Sequence, residues 1–142
     1  MPVFEGPTFK LGLPQEYVDL STYAFAFPSG SGFQPSLVIK FERWPGGGDL
    51  AAYVNQQLSV MQGGLAAFQL LERTPGMHGE YPAVTAVFQW GSAEQPRLRQ
   101  KQRFILVPAR SLIYTLTATN LDADFAQTEK LFDAIMGSFA PK

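Results

Sequence analysis

The sequence predicts an α+β domain: an antiparallel sheet of about six or seven strands with two main helices packed on it. Three observations lead there. Three long alternating runs follow one another with short loops between them, as in an antiparallel meander. Two stretches carry apolar residues at helical spacing. The strands and helices are segregated along the chain and do not alternate strictly, which separates α+β from a parallel α/β fold. The chain has 142 residues, enough for one domain with its own core, taken over residues 1–142.

The elements follow in order. Phe9, Leu11 and Leu13 alternate before Pro14 and read as a short strand. STYAFAFP, 21–28, is a second strand, ended by Pro28 and the SGSG turn. Its Tyr23, Phe25 and Phe27 form one face, expected in the core, and Thr22, Ala24 and Ala26 the other. That second face carries no charge, although on a half-buried strand it should meet water. SLVIKFER, 36–43, is a third strand, with Leu37, Ile39 and Phe41 on one face, ended by Pro45 and the glycines at 46–48.

Asp49 is the N-cap expected for a helix from about Leu50. Leu50, Tyr53, Val54, Gln57, Leu58 and Met61 form one helical stripe, stopped by Gly63-Gly64, and Gln57 is its one polar member. FQLLER, 68–73, reads as a short strand or a helix tail, followed by a PGMHG turn. AVTAVFQW (83–90), LRQKQRFILV (98–107) and SLIYTLTAT (111–119) are the long strands, joined by SAEQP and by Pro108-Ala109-Arg110. Asp122 or Asp124 caps a last helix whose apolar face is Phe125, Leu131, Phe132, Ile135, Met136 and Phe139.

The chemistry-bearing residues exclude more than they assign. Net charge is −1, without the basic footprint that nucleic acid requires. There is no cysteine and one histidine, so neither a disulfide framework nor a common zinc shell can form, and no cofactor is expected. WPGGGD lacks the Gly-Lys-Ser/Thr ending of a phosphate loop. His78 reads as an exposed turn histidine with no catalytic partner. The carboxylates are scattered, with Asp122, Asp124, Glu129 and Asp133 a solvated helix face and cap. Arg99, Lys101 and Arg103 alternate onto one strand face, expected to be exposed and compatible with a weak anionic contact. No enzyme signature is present, and an enzyme of unrecognised type would need a pocket of perturbed acids.

Charged residues make up 16% of the chain, against about 25% in typical soluble domains. A partner surface, beginning with a second copy of the chain, would account for the deficit; so would many neutral polar residues. The first residues, MPVFEGPTFKLGLP, lack the basic and apolar regions of a signal peptide, and no run reaches the length of a membrane helix. A cytoplasmic protein that does not insert directly into a membrane is therefore expected. Several strands also share a neutral face: Gln100 and Gln102 in one, Thr115, Thr117 and Thr119 in another. Such a face suits an apolar partner because each hydroxyl or amide can satisfy a polar atom otherwise stranded; the high β-propensity of Thr is the plainer reading.

FKLGLPQEYVDLSTYAFAFP, SLVIKFER, DLAAYVNQQL, and the pair FQWGSAEQPRLRQKQRFILV and LIYTLTAT resemble, in order and spacing from about residue 4 to 139, the DcrB-like family and within it the Eag chaperones of bacterial type VI secretion. The resemblance implies a PsbP-like fold and a homodimer whose sheets form a cradle. It implies a partner as well: the hydrophobic N-terminal transmembrane segments of a secreted PAAR/Rhs-type effector, shielded from water before loading on the secretion spike. The groove positions it implies are Thr22 and Ala24, Ser36 and Val38, Gln57 in the Tyr-Val-x-x-Gln-Leu pattern, and Gln102. Lys40 departs from the small polar residue of the pattern. The alternative is a structural or immunity-type module of the same family that binds a folded protein.

Overall fold

The structure, a computed structural model, describes residues 3–15, 21–28, 32–46, 48–92, 94 and 96–142. The turn expected over Ser29–Gly32 lies largely outside them, as do Ala93 and Gln95 of the loop SAEQP. The strands are β1 (Val3–Glu5), β2 (Lys10–Gly12), β3 (Thr22–Ala26), β4 (Ser36–Arg43), β5 (Gln69–His78), β6 (Tyr81–Trp90), β7 (Leu98–Val107) and β8 (Leu112–Leu121). The helices are α1 (Leu50–Gly64) and α2 (Phe125–Ser138). β3-β4-β8-β7-β6-β5 form one antiparallel sheet in that order, and β1 and β2 form a separate hairpin.

The two helices pack on opposite faces of the large sheet. On β7, Ile105 packs with the α2 residues Phe125, Phe132 and Met136, while its neighbour Phe104 packs with the α1 residues Leu50, Val54 and Leu58. Ala83 and Val84 divide in the same way on β6. Successive strand side chains point to opposite faces, so strands buried on both faces need apolar residues in both phases. AVTAVFQW has them.

Asp49 caps α1 as its sequence position predicts, its carboxylate accepting from the Ala52 N–H at 2.6 Å. α2 is held at its start differently. A short 3-10 turn, Asp122–Asp124, precedes it, and neither aspartate side chain caps the helix. The buried Asn120 amide donates instead to the Asp124 carbonyl and the Thr128 hydroxyl at 3.3 and 3.0 Å.

Four expectations are corrected. Tyr23 and Phe25 are not core residues, each being half exposed. β3 is the last strand of the sheet, and α2 packs over its neighbours; only Phe27 reaches that core, its ring meeting Phe132 at 6.1 Å. PGMHG is not a turn. β5 runs through Pro75 to His78, and the chain reverses over Gly79-Glu80, with Gly79 at φ +62°. An edge strand tolerates proline because its outer side donates to no ladder.

The third correction is the basic face, which lies under α2 and is not open to water. Arg99 pairs with Asp122 at 2.6 Å, and the buried Lys101 with Asp133 at 2.7 Å and Glu129 at 3.2 Å. These carboxylates are therefore partners to the strand and more than a solvated face. The fourth is His78, which is half-buried. Its Nε2 donates to the Phe139 carbonyl at 2.5 Å and its Nδ1 accepts from Arg103 at 3.5 Å. A carbonyl only accepts and a guanidinium only donates, so Nε2 is the donating nitrogen of the ring. It ties the end of α2 to the β5–β6 hairpin.

Candidate functional site

The ladder registers place the sequence-predicted residues on one surface. Ala86, Gln102, Thr117, Val38 and Ala24 stand opposite one another across five strands. Phe88, Gln100, Thr119, Ser36 and Ala26 form the next row, and Phe104, Thr115, Lys40 and Thr22 the row on the other side. Each row starts beneath α1, at Ala86, Phe88 or Phe104 of its core, and runs outward over β8 and β4 to β3. α1 covers only the first part. The floor beyond it carries Gln, Thr, Ser, Val and Ala, with Lys40 in the outer row.

Thr22, Ala24, Ser36, Val38 and Gln102 thus share one sheet face. Ser36 and Val38 are half-buried, and Thr22 and Ala24 exposed. Small side chains on β3 keep this edge of the floor low, which lets another backbone approach closely.

Gln57 stands on the wall. One side of α1 is tied to β5, where Arg73 donates to the Asn55 side chain and to the Ala51 carbonyl. The opposite side carries Tyr53 and, one turn on, the half-buried Gln57. Tyr53 marks the direction of that side: its ring meets Phe104 at 6.3 Å and its hydroxyl makes a long 3.5 Å hydrogen bond to Glu42 of β4. Burial, reinforced by Glu42, pushes the Tyr53 phenol up to about 12, so it is a neutral donor at physiological pH. Lys40 and Glu42 pair at 3.6 Å and cancel each other at the rim.

The polar groups of the floor are only partly satisfied. Gln100 Nε2 donates to Thr119 Oγ1 at 2.8 Å, and Gln102 Nε2 to Thr117 Oγ1 at 3.2 Å. Gln102 Oε1 is buried and accepts no hydrogen bond among the described residues. A stranded buried acceptor costs free energy unless a donor arrives. The floor therefore offers apolar contact, close approach and at least one acceptor awaiting a donor.

Sequence reasoning did not foresee Tyr53 as part of the wall; its aromatic character at a core spacing concealed a hydroxyl directed at β4. Among the described residues, no three His, Asp or Glu side chains are grouped to hold a metal ion, and no helix is long and apolar enough to cross a membrane.

A family model described as DcrB matches residues 9–138. Among solved structures, PA94 from Pseudomonas aeruginosa, a protein of unknown function described as a candidate regulator, is similar at 27% identity with TM-score 0.81, covering 100% of this chain and 97% of that one. Cyanobacterial PsbP (CyanoP) from Synechocystis sp. PCC 6803 shares the fold at 12% identity and TM-score 0.57, covering 96% of this chain and 100% of that one. The Ran-binding protein Mog1p from Saccharomyces cerevisiae does so at 10% identity and TM-score 0.54, covering 83% and 70%. No curated protein matches the sequence.

Proposed function

The chain belongs to the DcrB family, and from that premise we propose that it is a non-catalytic binding protein, a type VI secretion chaperone of the Eag kind, whose open sheet face holds an apolar client helix. The client in this reading is the hydrophobic N-terminal transmembrane segment of a PAAR-containing effector, held out of water in the cytoplasm until the effector is loaded on the spike. The working form is a homodimer, with two floors facing one client.

The observation that carries the reading is the row Gln102–Thr117–Val38–Ala24. It is uncharged from end to end, small at its outer end, and holds a buried acceptor without a donor. A membrane helix in water needs apolar cover along its length and hydrogen-bond partners at its few polar groups. In membranes, small residues and Ser, Thr, Asn and Gln side chains meet the same needs between neighbouring helices. Thr22 and Ser36 would line the client's path, and Gln57 would meet it from the wall.

The test is co-expression with the N-terminal transmembrane segment of a PAAR-containing effector, followed by measurement of the segment recovered with the chain. Val38→Gln sets an unpartnered amide against the client, at about 1–3 kcal/mol. Each ~1.4 kcal/mol is tenfold, so affinity should fall about tenfold to hundredfold while the chain's own melting stays near wild type. Normal capture by Val38→Gln sinks the groove reading. Unfolding of Val38→Gln would instead make Val38 a core residue.

A further inference from the structure

The α2 face of the main sheet is left incomplete near β3. Phe25, Phe27, Ile39, Ile135 and Phe139 enclose a hollow of about 320 Å³ with almost no polar atom in its walls. Phe25 at its rim is 50% exposed, and so is Tyr23, on the same face of β3. This surface is distinct from the proposed client floor, which lies on the opposite side of the sheet.

A second unburied apolar surface lies at the other end of the same segment. β1 and β2 pair with each other, and Phe4 stands opposite Leu11. Phe9 packs on the Phe4 ring at 6.1 Å, so Phe4, Phe9 and Leu11 gather as one apolar group, with Phe9 53% and Leu11 49% exposed. Glu5 and Lys10 pair at 3.4 Å and leave the hairpin without net charge. A two-stranded sheet has little stability of its own in water and needs its apolar face packed on something. Nine residues separate Gly12 from Thr22, a tether able to span about 30 Å when extended.

We propose that the β1–β2 hairpin of one chain seats Phe9 and Leu11 in the hollow beside β3 of a second copy, the two chains exchanging arms about a two-fold axis. The hollow and the arm match: both are apolar, and neither brings an unpaired charge to the contact. Within one chain the arm leaves its own hollow open, with Phe9 and Phe25 both half exposed. β3 is the terminal strand of the sheet, so a second copy can approach along it and bring its arm within tether length. Reciprocal exchange covers both hollows and both arms in a single closed association, a low-cost route to a dimer. The inference rests on the homodimer of the preceding reading and is independent of the client.

The chain has no cysteine, so thiols can be introduced singly. Full-length Phe9→Cys and Phe25→Cys chains are mixed, refolded together and oxidised, with Leu11→Cys and Ile135→Cys as a second pair should either variant melt early. A disulfide joining the two different chains in one of these mixtures, in up to about the half of the material that random pairing puts into mixed dimers, is the expected result. No bond between mixed chains in either pair overturns the exchange, as does a bond that forms only within one chain when Phe9→Cys and Phe25→Cys are combined in a single double variant. Phe9→Asp combined with Leu11→Asp should weaken self-association at least tenfold in sedimentation, and a dimer of unchanged strength overturns it equally. Normal client capture by Val38→Gln with cross-linking intact would sink the groove reading alone.

Discussion

At the scale of single residues, the side chains facing the floor owe their roles to one-residue alternation. Val38 and Leu37 are neighbours in sequence, but Leu37 is buried beside α2 and Val38 half-buried on the floor. Tyr53 has a pH signature of its own. Its phenol is raised from the ordinary 10.0 to about 12, by burial first and then by Glu42. Between those values the unfolded chain gives up the proton while the folded chain keeps it. The associated stability is therefore complete below pH 10 and is lost as pH rises toward 12. Tyr53→Phe removes this titration, so its urea midpoint should fall less than that of wild type between pH 9 and pH 11.5. An equal fall in both proteins would show that Tyr53 ionises freely in the fold.

At the scale of elements, α2 is anchored by charge as well as by its aromatic face. Lys101 reaches it from β7. Burial pulls its ammonium down, and the ion pairs with Asp133 and Glu129 outweigh that, leaving a net upward shift. Lys101 therefore stays charged through the physiological range. Both acids are nearly half exposed, so water can take up much of what the lysine leaves. Lys101→Met should accordingly cost only about 1 kcal/mol in urea unfolding. A loss several times larger would mean that the pair is effectively desolvated. α1 illustrates a complementary arrangement: Arg73 ties one side of it to β5, which leaves the side with Tyr53 and Gln57 facing the floor.

At the scale of the whole molecule, electrostatics is muted. Net charge is −1, the basic strand face is matched by acids under α2, and Lys40 and Glu42 cancel at the rim. Binding on such a floor should draw on burial and close packing rather than on steering. Capture of an apolar segment should therefore change less than about twofold between 0.1 and 0.5 M salt, since the Debye length falls well below 10 Å over that range without affecting apolar contacts. A tenfold loss of capture in high salt would point to a charged partner surface instead.

The sequence by itself determined the long strands β6 to β8, the strands β3 and β4, both helices, the Asp49 cap and the uncharged phase of STYAFAF, because periodicity and capping are local; β5 it left open. It also placed Thr22, Ala24 and Gln102 on uncharged phases, whereas Ser36 and Val38 alternate with Lys40 and Glu42 and were implied by the family resemblance. Only the tertiary structure decided which phases share a face, since that depends on the order β3-β4-β8-β7-β6-β5, and strand order is set by pairings far apart in the chain. Tyr23 and Phe25 show the limit most clearly. Their alternation with Ala24 and Ala26 reads as a core face, and a central strand would have buried them. β3 is instead the last strand, where α2 covers the sheet incompletely and leaves a hollow, so the same residues form an apolar edge. His78 and the basic residues of β7 show the converse: neither reads as buried until α2, encoded beyond residue 124, folds back over them.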